Sequence, residues 1–161
     1  MFQVASITKS FKEKAVLKGV SFSIEEGDKI ALLGNNGAGK STLFNIIAGQ
    51  LQADSGTIKT SLDFQREIGM MPQGDLLIED LTVAELVELK SRMNQLKQAD
   101  INGLLEMVEL RESREQMVGS LSGGQKRRLS LLLTILNHPK LIFLDEPTTG
   151  MDLEAVDNFW K

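Results

Sequence analysis

The sequence predicts an α/β fold: an antiparallel β-layer first, then a parallel core, with a short set of helices inserted. Three observations predict it. Near the start, apolar Val20, Phe22 and Ile24 alternate with polar residues at the period of a strand. Two short apolar runs, Lys29-Ile30-Ala31-Leu32-Leu33 and Leu141-Ile142-Phe143-Leu144, have the length and composition of strands covered on both faces. Between them, residues 81–110 carry helix starts and helical spacing.

Composition narrows the function classes. The 161 residues leave room for one domain with a small subdomain, and for a real core. The absence of cysteine is compatible with a reducing compartment. Met1-Phe2-Gln3-Val4 runs straight into an alternating pattern with no signal-peptide character. The longest strongly apolar stretch, Leu129 to Leu136, is interrupted by Ser130 and Thr134 and falls far short of a membrane span. A formal charge of −4 gives no electrostatic reason to expect nucleic acid. The expectation is a soluble, intracellular chain.

Taken in order, Phe2, Val4, Ser6 and Thr8 alternate with Gln3, Ala5, Ile7 and Lys9, a strand with mixed faces. A polar turn at Lys12-Glu13-Lys14 leads to a second strand from Ala15 to Ile24. Phe11 borders that charged turn, where a ring has little core to join; stacking on a purine face and capping the hairpin both remain open. Glu25-Glu26-Gly27-Asp28 is a turn into the apolar run at 29–33.

Then comes Gly34-Asn35-Asn36-Gly37-Ala38-Gly39-Lys40-Ser41-Thr42, followed by Leu43, Ile46, Ile47 and Ala48 at helical spacing and a stop at Gly49. Strand, glycine loop and helix is the context in which a glycine, four residues and Gly-Lys-Ser form a P-loop. Glycines allow positive φ and bring backbone N–H groups close to an anion, and the helix dipole adds partial positive charge there. Lys40 would reach the β- and γ-phosphates, and Ser41 would offer its hydroxyl to Mg²⁺. The expected fold class is therefore α/β with a P-loop NTPase core.

Asp54-Ser55-Gly56 reads as a turn, Gly56 to Lys59 as a short strand, and Glu67 to Met71 as another, broken at Pro72-Gln73-Gly74-Asp75. Thr82 and Glu85 form a capping-box signature, with Leu86, Leu89 and Met93 expected on one helix face. A second helix is expected from Asp100, carrying Leu104, Leu105, Val108 and Leu110. Residues 79–118 are thus expected to be a helical subdomain inserted in a core of 1–78 and 119–161. No internal repeat or low-complexity linker interrupts the chain.

Two further clusters carry chemistry. Leu121-Ser122-Gly123-Gly124-Gln125 precedes an apolar stripe at Leu129, Leu132, Leu133 and Leu136. Ser122 fits as an N-cap, and the glycines leave first-turn N–H groups unshielded, a second anion site at a helix start. The intervening Lys126-Arg127-Arg128 reads as a solvated helix face. In Leu141 to Pro147, Asp145 and Glu146 emerge at the C-terminal end of a buried strand, where open α/β sheets place ligands. Asp145 would bind Mg²⁺ through water, and Glu146 would polarise an attacking water.

The order GNNGAGKST, Gln73, LSGGQ, LIFLDEPTTGMD resembles the nucleotide-binding domain of ABC ATPases over nearly the whole chain. QKRRLS and EPTTGMD are similar to bacterial exporter ATPases of the ABC-2 type, which serve drug, antibiotic or polysaccharide export. The resemblance implies roles position by position. Phe11 would stack on adenine, and residues 34–42 would hold the phosphates. Gln73 would be the Q-loop glutamine that senses Mg²⁺ and the γ-phosphate beside the membrane partner. Glu146 would be the catalytic carboxylate, assisted by Lys40 and Gln73, and Asp152 the D-loop acid. Ser122, Gly123, Gly124 and Gln125 would contact the γ-phosphate held by an opposite subunit.

One chain would then carry two phosphate half-sites, completed in an ATP-dependent head-to-tail dimer with itself or a homologous subunit. The expected function is an ATP-hydrolysing subunit that drives export through a separate permease, cytoplasmic and peripheral at the inner face of the membrane. Two alternatives stand beside it: an ATP-binding module without productive turnover, and a soluble ABC protein acting on ribosomes or nucleic acid. The compact stretch between Gln73 and Leu121 leaves no room for the long coiled coil the last would need. In one respect the sequence departs from the family. ABC domains carry a switch histidine on a strand beyond the acidic one, whereas His138, the single histidine, precedes Asp145. His138 is expected in the loop entering that strand, about 20 Å from its far end, and the chain is expected to be the N-terminal part of a domain.

Overall fold

The alternation of the first strand breaks between Val4 and Ile7, and a bulge explains the break. The computed structural model describes residues 1–74, 76–96 and 99–148. In it β1 (Phe2–Phe11) pairs antiparallel with β2 (Lys14–Ile24) on one side and β3 (Ser55–Thr60) on the other, in the order β2-β1-β3. Phe2 and Val4 are buried; Ile7, of opposite parity, is buried too. Ser6 sits between them at φ 51, where the register with β2 jumps from Val4↔Phe22 to Ile7↔Val20. The extra residue on β1 returns Ile7 to the inner face, and the Ser6 N–H donates to Ser21 Oγ at 2.8 Å. Gly56 lies against this bulge at φ +95, where a Cβ would stand 2.5 Å from the Ser6 carbonyl oxygen. The mixed faces expected of the first strand are thus one face with a kink.

The turn before β3 is tied to the end of β1. Asp54 accepts from Lys9 Nζ at 2.7 Å and from the Ser10 N–H at 2.6 Å. The Lys9 hydrogen bond, then the Ser10 N–H, hold the Asp54 carboxyl below its ordinary pKa. Helix α1 (Lys40–Ile47) buries Leu43, Phe44, Ile46 and Ile47, as the spacing predicts.

The strand expected at 29–33 is a correction. Among the described residues no strand forms a ladder with it, and Ile30, Leu32 and Leu33 are 55%, 53% and 88% exposed. An apolar run has the composition of a buried strand, but the ladder and the burial come from neighbours on either side.

The chain divides into two compact units, Met1–Gln65 and a second from Arg66 onward. In the second, β4 (Ile68–Met71) and β5 (Leu141–Leu144) form a parallel pair, Ile68 opposite Leu141 and Met71 opposite Leu144. A parallel pair needs a long crossover, here supplied by α2 (Val83–Met93), α3 (Ile101–Met107) and α4 (Gly123–Ile135), with 3₁₀ turns at Arg111–Ser113 and Val118–Ser120.

Helix α2 opens with the expected capping box: Thr82 N–H to Glu85 Oε2 at 2.8 Å, and Glu85 N–H to Thr82 Oγ1 at 3.2 Å. Its buried face differs from the expected one. Val83, Leu86, Val87 and Ser91 face inward, whereas Leu89 and Met93 are exposed. The repeat 83-87-91 follows the helical period better than 86-89-93, and Ser91 satisfies its hydroxyl by donating to the Val87 carbonyl at 2.8 Å. Helix α3 starts at Asp100, whose side chain accepts from the Gly103 N–H. The core of this unit gathers Val83, Leu86 and Val87, then Leu105, Val108 and Leu110, and Leu121, Leu129 and Leu132 from around and within α4. None of the described helices is long and apolar enough to cross a membrane.

Candidate functional site

In the first unit the P-loop is built by conformation as well as composition. Gly39 is the N-cap of α1 at φ 96, and a Cβ there would lie 2.9 Å from Leu17 Cδ2 and 2.9 Å from Val16 Cγ1. Only glycine takes this left-handed angle while pressed on β2. No side chain caps the helix, and its first turn carries no acid, so the electropositive start is left for an anion. Lys40 curls back over the loop, Nζ donating to the Gly34 carbonyl at 2.8 Å and to that of Asn35 at 3.3 Å. Its ammonium therefore hangs over the loop. Gly34, Asn35, Asn36, Gly37 and Ala38 are exposed, while Ser41 and Thr42 are half-buried at the first turn.

Phe11 is 48% exposed, with Lys9 Nζ 5.7 Å from its ring centroid. It pairs with Lys14, and Lys9 with Leu17. Because Gly39 rests on Val16 and Leu17, the hairpin register brings the exposed ring and the phosphate loop to the same end of the sheet.

In the second unit the β4–β5 pairing brings another group together. The Asp145 N–H donates to the Met71 carbonyl at 2.9 Å, extending the ladder by one step. Pro72-Gln73 and Asp145-Glu146 therefore leave the sheet side by side, at the C-terminal ends of parallel strands. Asp145 is buried. Gln73 Nε2 donates to Glu146 Oε2 at 2.9 Å, and Glu146 sits at φ 47, a left-handed angle that is strained for a residue with a side chain.

Ser122 caps α4 as expected, within a reciprocal box. The Gln125 N–H donates to Ser122 Oγ at 3.2 Å, and the Ser122 N–H to Gln125 Oε1 at 2.9 Å. Gln125 Nε2 also donates to Ser113 Oγ at 3.1 Å. This gives Gln125 a structural role that the sequence reading missed, although Ser-x-x-Gln is the sequence signature of such a box. Gly123 and Gly124 occupy the first turn, and a Cβ on either would meet nothing within 4 Å among the described residues.

The solvated face expected of Lys126-Arg127-Arg128 is a second correction. Lys126 pairs with Glu79 at 2.7 Å and Arg128 with Glu109. Arg127 is only 2% exposed and bonds the carbonyls that flank Gln73 and Glu146. After Arg128 the helix is apolar nearly all round, and Arg127 lies two turns before Thr134, on the face packed against Gly69 of β4. His138 sits at φ 51 in the connection between α4 and β5, where the sequence puts it. Asp152 lies outside the described residues.

Residues 17–149 match the family model described as ABC transporter. The Nod factor export ATP-binding protein I of Rhizobium meliloti (strain 1021) is 39% identical over 98% of this chain and 51% of its own length. An uncharacterized ABC transporter ATP-binding protein of Bacillus subtilis (strain 168) is 38% identical over 94% of this chain and 54% of its own. The chain thus spans about half the length of the curated relatives it matches. Among solved structures, the ATP-binding subunit of an ABC transporter superposes with TM-score 0.85 at 26% identity, covering 98% of this chain and 71% of that one. A dimeric ATP-binding cassette in a post-hydrolysis state with ADP and Pi gives TM-score 0.84 at 28% identity, covering 98% and 79%. Motif order, the P-loop, the capped Ser122 helix and these likenesses lead to one conclusion: the chain belongs to the ABC transporter family.

Proposed function

We propose that this chain binds ATP with Mg²⁺ and hydrolyses it to power export through a separate membrane permease. The observation that carries the reading is the Gln73–Glu146 pair, fixed side by side at the C-terminal ends of β4 and β5. Glu146 is the general base: it takes a proton from the attacking water as a bond forms to the γ-phosphorus and the bond to the bridging oxygen breaks, giving ADP and phosphate. Residues 34–42 hold the phosphates, with Lys40 on the β- and γ-groups, and Phe11 stacks on the adenine.

Mg²⁺ takes hard oxygen ligands, and the Ser41 hydroxyl, the Asp145 carboxylate and the Gln73 amide oxygen are the groups that would supply them. The metal, when bound, neutralises charge on the triphosphate. Gln73 orients the water and lies beside the permease, and the exposed Leu76 and Ile78 that follow support a protein partner there. Residues 79–118 serve as the helical subdomain, and Asp152 as an acid at the partner boundary.

Two copies, or this chain and a homologue, pair head to tail so that Ser122, Gly123, Gly124 and Gln125 of one close on the nucleotide of the other. Glycine in a helix costs about 1 kcal/mol relative to alanine. Among the described residues nothing crowds a Cβ at Gly123 or Gly124, which leaves this first turn open to a neighbour. Relatives named for Nod factor export support an exporter, and the dimeric ADP–Pi neighbour supports pairing and turnover. The protein then works in the cytoplasm, peripheral to the membrane.

Turnover of ATP–Mg²⁺ by the full-length protein tests this. Lys40→Ala is expected to abolish nucleotide binding in calorimetry. Glu146→Gln is expected to retain ATP while hydrolysis falls about 10²–10⁴-fold. Binding unchanged by the first, or turnover unchanged by the second, refutes the corresponding role.

A further inference from the structure

Arg127 is a buried cation with an unusual set of acceptors. Its Nη1 donates to the Pro72 carbonyl at 2.8 Å and to that of Gln73 at 3.3 Å. Its Nη2 donates to the carbonyls of Asp145 at 2.8 Å and Glu146 at 2.9 Å, and Nε to that of Pro147 at 2.9 Å. One planar guanidinium thus holds five main-chain oxygens from two loops, the one after β4 and the one after β5. Between those loops runs the Gln73–Glu146 side-chain bond.

We infer that Arg127 is a positioning residue for hydrolysis, setting the Gln73 loop and the Glu146 loop in register from α4. This rests on the reading of Gln73 and Glu146 given above. A left-handed non-glycine residue persists only where its surroundings over-determine it. Glu146 at φ 47 has the Asp145, Glu146 and Pro147 carbonyls all gripped by Arg127. The guanidinium is always charged and offers five N–H groups in a rigid fork. Lysine keeps the charge but donates from a single nitrogen, so it cannot span both loops in this geometry. Arg127 also stands a little over one turn from the Ser122 cap. The helix whose first turn is offered to a second nucleotide is therefore the one that fixes this chain's own Glu146.

The test compares Arg127→Lys and Arg127→Met with the parent in the full-length protein, by steady-state hydrolysis, calorimetric ATP affinity and amide hydrogen exchange. Arg127→Lys is expected to lower kcat about 10–100-fold, with KM and ATP affinity within about twofold and faster exchange confined to the segments around Gln73 and Glu146. Met fills the volume without the donors and is expected to match or exceed that loss. Combined with Glu146→Gln, Arg127→Lys should add little, because both act on one step. Parent kcat in Arg127→Lys overturns the inference, whether or not exchange quickens. So does a loss carried wholly by KM, or effects of the two substitutions that multiply. Failure of the underlying reading is seen separately, as normal turnover in Glu146→Gln alone.

Discussion

At the scale of single residues, the site divides into those whose chemistry is visible in their type and those whose role comes from their place. The places of Lys40, Asp145 and Glu146 in the candidate site are legible because a P-loop and an acidic strand end leave few alternatives for an ammonium and two carboxylates. Arg127 was not. In the string Lys-Arg-Arg the three residues look alike, and only packing shows that the first and third reach acids while the second turns inward. Gly39 was legible as part of the loop, though the reason it must be glycine comes from β2. At φ 96, with Leu17 and Val16 2.9 Å from a would-be Cβ, Gly39→Ala is expected to cost about 1–2 kcal/mol from the left-handed angle alone. It should also push the start of α1 off its seat, weakening nucleotide binding. Chemical denaturation and calorimetry read both effects; a variant with the parent's midpoint and affinity would contradict the role given to this angle.

Among the elements, the sequence pattern served best where a local signal decides the structure. The capping boxes at Thr82–Glu85 and Ser122–Gln125 form between residues three apart, and both stand as hydrogen-bonded pairs. The pattern failed where the outcome depends on neighbours. Residues 29–33 carry the composition of an inner strand yet have no ladder among the described residues. The face of α2 is chosen by what α3 and α4 present to it, so Val83 and Val87 are buried and Met93 is not.

The box at α2 makes its own prediction. The Thr82 N–H, then the Thr82 hydroxyl, hold the Glu85 carboxyl below its ordinary pKa. A depressed carboxyl contributes its stability above the unfolded pKa and loses it as pH falls through the folded one. Thr82→Ala, expected to cost about 1 kcal/mol at neutral pH, should therefore cost progressively less once pH drops below about 4. Denaturant midpoints for the parent and Thr82→Ala should draw closer on acidification, as the Thr82 hydroxyl loses its carboxylate acceptor, while the cap on the Glu85 N–H keeps a gap between them. A gap that stays constant down to the most acid condition would show that Glu85 is not the partner that matters.

For the whole molecule, each unit carries part of the proposed machinery. The first holds the P-loop and Phe11; the second holds Gln73, Asp145, Glu146 and the Ser122 helix. The proposed function requires a partner copy, and the first turn of α4, where a Cβ at Gly123 or Gly124 would meet nothing among the described residues, leaves room for one. Hydrolysis then lets the pair separate, so blocking hydrolysis should preserve it.

Sedimentation velocity on full-length Glu146→Gln, alone and combined with Gly123→Leu, tests this most directly. A Cβ at Gly123 would meet nothing within 4 Å among the described residues, so the double variant should keep the thermal midpoint of the single one. The account predicts a monomer without nucleotide and a dimer with ATP–Mg²⁺ for Glu146→Gln, and a monomer under both conditions once leucine stands at position 123. A dimer that forms equally without ATP, or one that survives the leucine, would contradict it.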